Sequence, residues 1–396
     1  MPKNIVLLLD GTSNEIKTNR SNVLRLYGTL EKSKDQLVYY DPGVGTLGGD
    51  GAWSRVWRKT VEIWGMATGW GLDQNVKEAY RFLVENYDDG KRSDGPDRGR
   101  DRIYIFGFSR GAYSARILAG FIHAFGLVEP RGMNLIDYAY RAYKRINDRK
   151  EGTFDEIRLY ERILRPDKPP IQCLGLFDTV ASVIESGRFG LRLKKHAFTK
   201  TNTSVVSARH AVAIDERRTM FRPQLWPLNV SFLRNRFQPD DATPQDAKEV
   251  WFAGVHGDVG GGYPEAQSAL AKLPLHWMIE ETQAEGLLYK TRTVNELVLG
   301  KREDRDYTRP DPLGRKHNSM NWGWAILEFV PRLKPEDSKR PSILGLTLPL
   351  FEPRTIPEGA HIHGSVMVRM AKGNYDPPNL PTVYEIEPWD EKGPEE

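Results

Sequence analysis

Arg102-Ile-Tyr-Ile-Phe-Gly107-Phe-Ser109-Arg-Gly111-Ala-Tyr-Ser-Ala115-Arg-Ile-Leu118 is the stretch on which the fold turns. Ile103–Phe106 is a β-branched and aromatic run that stops at a glycine, and small and apolar residues at helical spacing follow from Gly111. Between them Gly107-Phe-Ser109-Arg-Gly111 matches G-x-S-x-G. In a chain with 36 glycines the pattern arises readily by chance, so the flanking strand and helix carry the weight. A nucleophile elbow needs that order, because its serine sits in a tight strand-to-helix turn and only glycine lets the two elements approach on either side. The N-terminus of the new helix favours negative charge developing beside the serine. An ordinary turn with a capping serine is the plainer alternative.

Working outward, other apolar runs end as abruptly: Ile5–Leu9 into Asp10-Gly11-Thr12, Leu37–Tyr40 into Asp41-Pro42-Gly43, Ile171–Phe177 into Asp178, and Val250–Val255 into His256. Leu72–Glu85, Arg110–Phe125, Asn134–Ile146 and Phe154–Leu164 read as helices between them. Runs without polar alternation suit strands covered on both faces. The alternation predicts an α/β fold, α/β-hydrolase-like, with a mostly parallel, doubly wound sheet flanked by helices and inserted cap or lid elements. One domain is expected over residues 1–396. The stretch 187–248, rich in Arg, Pro and Phe, reads as an insertion, and 300–359, with many Pro and Trp, as a cap or lid segment. Ligands of such sheets bind beyond the carboxyl ends of the strands, where the polar residues above fall.

Composition narrows the function classes. Of the 396 residues, 57 are Lys or Arg and 53 Asp or Glu, a net +4 spread along the chain, which gives no footprint for nucleic acid. Hydrophobic residues at 39% and charged residues at 28% suit a soluble globular chain. Cys173 stands alone, so neither an intrachain disulfide nor a cysteine metal cluster is available. Ile5–Leu9 is too short for a signal peptide or a spanning helix, and Ala115–Val128 is broken by Gly120 and His123. A cytoplasmic location follows as the expectation; oligomeric state is not written in the sequence.

A serine hydroxyl becomes a nucleophile when a histidine takes its proton, and that histidine needs a carboxylate to fix its tautomer. His256, at a strand end and entering Gly257-Asp258-Val-Gly-Gly-Gly262-Tyr263, is the first candidate for the base; His361 and His363 are the rivals, since the histidine often comes last in the chain. Asp178 is the matching carboxylate, and Asp258 is the alternative if His363 is the base. The order Ser109, Asp178, His256 agrees with the Ser, Asp, His order of α/β hydrolases. Oxyanion donors are expected at the backbone N–H of Arg110 and in the loop at Gly11 and Thr12, with Asp10 pinning that loop. This chemistry needs no cofactor. A metal-dependent phosphohydrolase using Asp10, Asp178, His256 and Asp258 is the runner-up; an aspartate-nucleophile loop would want aspartate where Leu8 stands.

Taken together, Asp10-Gly-Thr12, Gly107-Phe-Ser-Arg-Gly-Ala112, Phe177-Asp-Thr-Val180, Asp215-Glu-Arg-Arg218 and Trp251-Phe-Ala-Gly-Val-His256-Gly-Asp-Val-Gly-Gly-Gly-Tyr263 resemble the α/β-hydrolase domain of type VI secretion phospholipase effectors and their uncharacterised relatives, from about Ile5 to Glu281. The resemblance implies a serine hydrolase with Ser109 as nucleophile and Asp178 and His256 as partners. It also implies an ester or lipid substrate cleaved through an acyl-enzyme, and delivery by a secretion machine. Trp322, Trp324, Ile326, Leu327, Phe329 and Val330 could make a peripheral membrane contact or pack as a helix on the core. Asp215–Arg218 with Phe221-Arg222 could hold a phosphate through arginine forks or form a salt-bridged face. A non-catalytic binding module on the same fold is the remaining class.

Overall fold

The computed structural model describes residues 2–11, 19–43, 71–91, 99–146, 153–180, 184–187, 190–193, 196–234, 239–302, 304, 306–335 and 337–389. Its centre is a sheet of eight strands: β1 (Asn4–Leu9), β2 (Gln36–Asp41), β3 (Arg102–Phe108), β4 (Ile171–Phe177), β5 (Val205–Ala213), β6 (Asp246–Phe252), β7 (Ala360–His363) and β8 (Tyr384–Glu387). All pair in parallel, in the spatial order β8-β7-β6-β5-β4-β3-β1-β2. The order reverses at β1, which lies between β2 and β3, so a crevice opens at the carboxyl ends of β1 and β3. Register puts the ends level: Leu9 pairs with Gly107, Phe108 with Phe177, and Ala213 with Phe252. Asp10, Ser109, Asp178 and the loop to His256 therefore share one rim.

Both faces of the strands are covered, which is why they read as unbroken apolar runs. Leu7, Leu9, Ile105, Leu174 and Leu176 pack with α2 (Leu72–Asn86), α3 (Arg110–Phe125) and α4 (Ile136–Arg145) on one side. Val6, Leu8, Tyr104, Phe106, Cys173 and Phe177 pack with α1 (Asn22–Thr29) and α7 (Lys272–Ala284) on the other. Helices α5 (Thr153–Leu164), α6 (His256–Gly260), α8 (Thr291–Leu297), α9 (Trp322–Leu327) and α10 (Gly364–Lys372) complete the described set. Cys173 is buried, and burial pushes its thiol up to about 12, so it behaves as a small apolar residue.

Residues 187–248 depart from their reading as an insertion: β5, in the middle of the sheet, and the start of β6 lie inside them. Polar residues hid β5. Ser207 donates to the Gln172 carbonyl, Arg209 is shared among Asp246, Glu281 and Glu285, and His210 bonds Glu249, so each is satisfied within the core. Residues 300–359 supply no strand to the central sheet among those described; they hold α9 and a small hairpin, Arg332–Leu333 against Leu346–Thr347. Among the described residues no helix is long and apolar enough to cross a membrane.

Candidate active site

β3 runs into α3 through Ser109, whose φ of 59° and ψ of −120° lie where L-residues rarely sit. Such a conformation costs on the order of 1–3 kcal/mol and persists only where the surroundings impose it. Here they do. A Cβ on Gly107 would press into the Gly111 backbone, and one on Gly111 into the Leu9 and Asp10 carbonyls, so strand, turn and helix touch backbone to backbone. The Ser109 N–H donates to the Phe177 carbonyl at 3.1 Å, and the Tyr113 N–H to the Ser109 carbonyl at 3.2 Å. The side chain is thereby held clear of the turn.

Ser109 Oγ lies 2.8 Å from His256 Nε2, and His256 Nδ1 lies 2.5 Å from Asp178 Oδ2. Asp178 is fully buried at the end of β4, with its own φ at 42°. Its other partners are the Ala213 N–H, at 3.0 Å from Oδ1, and the guanidinium of Arg354, which grips both oxygens at 2.5 and 2.9 Å. Burial pulls the carboxyl upward; the charge of Arg354 and the bond to His256 outweigh it and hold Asp178 well below the usual carboxylate range. An ionised Asp178 takes the Nδ1–H of His256, leaving Nε2 as acceptor for the serine hydroxyl. The imidazole is packed between Phe108, with ring centroids 4.7 Å apart, and the edge of Phe221 at 4.9 Å.

The loop carrying His256 is braced from below. Glu216 accepts the His256 N–H at 3.2 Å, and Asp215 accepts the Gly254 N–H at 2.7 Å. Burial pulls the Glu216 carboxyl upward, yet the Arg218 fork and the charge of Arg354 bring it down to about 2, and Ser319 donates its hydroxyl to it. Arg218 is thus engaged with Glu216 and stacks 3.6 Å from the Phe221 ring centroid, while Arg222 pairs with Asp337 and Glu352. The salt-bridged alternative describes both arginines. Behind Asp178, His210 Nε2 accepts the Thr179 N–H at 3.2 Å and its Nδ1 faces Glu249 at 2.9 Å.

Other expected residues are placed as follows. Asp10 is buried and accepts from Gly11 N–H at 2.7 Å, from Tyr40 Oη at 2.9 Å and from Ser21 Oγ, which fixes the backbone at Gly11. Gly11 gives its N–H to that carboxylate, and Thr12 lies outside the described residues. Arg110 opens α3, where the first backbone N–H groups point out of the helix end. Asp258 is not brought to the serine; it bonds His317 Nδ1 at 2.6 Å, and His317 stacks on Tyr263. His363 caps α10 through Ser365, and burial with nearby His276 pushes it down to about 3. His361 lies on β7, one strand in from the edge of the sheet, near Glu385 and Glu387 of β8. Among the described residues no three His, Cys, Asp or Glu side chains gather as a cation would require, because Asp10 and Asp178 spend their oxygens on the partners named. Arg354 was not foreseen: Glu352-Pro-Arg-Thr-Ile-Pro357 has no periodicity or motif to single it out.

Comparison with known proteins places the chain in a family. The family model for T6SS, phospholipase effector Tle1-like, catalytic domain, matches residues 3–281. An uncharacterized protein of Saccharomyces cerevisiae is 32% identical over 233 residues, 56% of this chain and 32% of that protein, so the chain spans about a third of this relative's length. Among solved structures, an uncharacterized protein from Pseudomonas aeruginosa aligns at 20% identity and a TM-score of 0.38, covering 73% of this chain and 46% of that one. The Tle1 effector bound to the VgrG spike from the type 6 secretion system aligns at 20% identity and a TM-score of 0.33, covering 68% and 52%. Ser109, Asp178 and His256 fall within the matched residues; Arg354 falls beyond them.

Proposed function

Since the chain belongs to the Tle1-like phospholipase effector catalytic-domain family, we propose that it is a serine hydrolase cleaving carboxylic esters, lipid or phospholipid acyl esters above all, through an acyl-enzyme. The observation that carries this reading is the continuous hydrogen-bonded line Ser109–His256–Asp178 on a glycine-flanked elbow. His256 Nε2 takes the hydroxyl proton as Oγ attacks the ester carbonyl, and Asp178 stabilises the imidazolium that forms. The Arg110 N–H at the start of α3 faces the oxyanion, with the loop following Asp10 as the source of a second donor. Collapse of the tetrahedral species breaks the bond to the leaving alkoxide, which takes the proton from His256 and departs as an alcohol. Water then repeats the sequence on the acyl-enzyme, releasing the acid and restoring Ser109.

A fluorophosphonate probe and a soluble p-nitrophenyl ester test it together. Wild type should be labelled at Ser109 and turn over the ester, and Ser109→Ala or His256→Ala should lose on the order of 10⁴-fold or more in kcat. Undiminished turnover in Ser109→Ala would sink the mechanism. Absence of labelling with no turnover would point to a non-catalytic module, and loss of activity in EDTA with indifference to the probe would favour the phosphohydrolase. Release of fatty acid from phospholipid distinguishes a phospholipase from a simple esterase. Type VI spike proteins are the class of partner the family suggests, and co-purification tests that.

A further inference from the structure

Nine of the seventeen large hydrophobic residues that stand exposed among those described lie between positions 322 and 348; the others are scattered. Scattered exposed leucines need no explanation, whereas a contiguous apolar patch marks a surface that something covers. Trp322 is 85% exposed at the start of α9, and Ile343 and Leu344 are 80% and 97% exposed at the tip of the hairpin joining 332–333 to 346–347. The two parts are one body. Arg332 donates to the Leu327 carbonyl at 2.5 Å, the Leu350 N–H to the Glu328 carbonyl at 3.1 Å, and the Phe329 and Phe351 rings meet at 5.7 Å.

We propose that α9 and this hairpin form a docking surface for an anionic lipid bilayer, seating the catalytic rim against the membrane. The proposal rests on the lipid-esterase reading above and deepens it. Three observations favour lipid over a protein partner. First, the hairpin tip stands clear of the body: a Cβ placed on Gly345 would meet nothing within 4 Å. A projecting aliphatic tip fits a fluid acyl layer, whereas protein partners are usually gripped by anchors set in pockets. Second, among the described residues its stem carries Lys334, Lys339 and Arg340 against Asp337, which is already paired with Arg222, so basic groups stand where anionic headgroups would lie around a buried tip. Third, the turn is built against local preference. Ile343 and Leu346 exchange backbone hydrogen bonds around Leu344 and Gly345, with φ of 52° and 78°, a hairpin turn whose first central position ordinarily takes Asn, Asp or Gly. Leucine there adds nothing to folding and presents an aliphatic side chain outward.

The patch also adjoins the catalytic histidine. Glu328 is buried behind α9 and accepts from the Thr219 N–H at 2.8 Å and the Thr219 hydroxyl at 2.6 Å. Trp324 meets the edge of Phe221 at 5.3 Å, and Phe221 meets His256 at 4.9 Å. A bilayer under Trp322 and Leu344 would therefore lie beside the rim that holds Ser109, so that an acyl ester need not leave the lipid phase fully to reach it.

Co-sedimentation with phosphatidylcholine vesicles, pure and mixed with phosphatidylglycerol, tests this in the Ser109→Ala background, where binding is read without turnover. The protein should sediment with the mixed vesicles, less with phosphatidylcholine alone and less in high salt. Ile343→Ser with Leu344→Asn should weaken sedimentation at least about tenfold while the thermal midpoint holds or rises, because asparagine suits that turn. Leu288→Ser, an exposed leucine elsewhere, should sediment as before. Unchanged sedimentation of the double variant, or none by the parent, overturns the proposal. So does a change in the protein's mass in solution without vesicle binding, which would assign the patch to a second copy. Hairpin-dependent sedimentation of a protein that hydrolyses no ester would leave the docking surface standing and remove the esterase reading; ester hydrolysis with hairpin-indifferent sedimentation would do the reverse.

Discussion

Arg354 contributes a charge to the candidate site from a stretch of chain 176 positions beyond Asp178. A buried carboxylate in contact with a histidine alone would be drawn toward its neutral form by desolvation; the bidentate guanidinium keeps it ionised and fixes the plane in which His256 Nδ1 must lie. Arg354→Met should leave that charge without its partner and destabilise the fold by about 3–5 kcal/mol. The sign with pH follows: Asp178 has a depressed folded pKa, so its stabilisation is complete above the ordinary carboxylate range and is lost as pH falls toward the low folded value. In Arg354→Met that loss should begin at higher pH, and Arg354→Lys, a point charge in place of a fork, should fall between. Thermal unfolding followed against pH measures this, and coincident acid limbs in wild type and Arg354→Met would refute it. Ser109, Asp178 and His256 were readable because each closes an apolar run. Arg354 was not, because a side chain that arrives through tertiary folding from a Pro-rich stretch has no local signature.

At the level of elements, the elbow decides most. β1, β3 and α3 meet where Gly111 lies against the Leu9 and Asp10 carbonyls, and no side chain could be accommodated without moving the helix that follows Ser109. Gly111→Ala should destabilise the protein by about 2 kcal/mol or more through overpacking. Turnover of a soluble ester should fall by more than that loss accounts for, since displacing a nucleophile by about 1 Å can cost on the order of 10²-fold. Urea unfolding and ester turnover, measured on the same preparations, separate the two effects; a variant destabilised yet fully active would show that the elbow tolerates movement. The apolar strands and amphipathic helices were legible for the reason that both faces of the sheet are covered. β5 was not, because Ser207, Arg209 and His210 interrupt its apolar pattern, and their partners Gln172, Asp246, Glu281 and Glu249 come from other parts of the chain.

Across the whole molecule, histidines held neutral by burial set the response to acid. His276 is lowered to about 4, first by burial and then by Lys301, and His363 to about 3 by burial and His276; His210 is lowered by burial, which its bond to Glu249 only partly offsets. Glu280, 3.5 Å from His276 and half exposed, is too well solvated to reverse the trend. The unfolded chain binds protons at these sites as pH falls through about 6.5, and the native state does not until much lower, so stability falls with pH across that window. At pH 5 a neutral-locked histidine gives up roughly 1.5 pK units, about 2 kcal/mol each, so His276 and His363 together account for about 4 kcal/mol. Asp178 and Glu216 also lose stability as pH falls, but only below the ordinary carboxylate range, because their depressed values keep them charged throughout this interval. The urea midpoint should therefore drop steeply between pH 7.5 and pH 5, and His363→Asn, which can keep the cap on α10 without a titrating ring, should flatten that slope. A midpoint that stays level over the interval would mean that these rings are hydrated in the native state and that water enters the packing of β6 against β7.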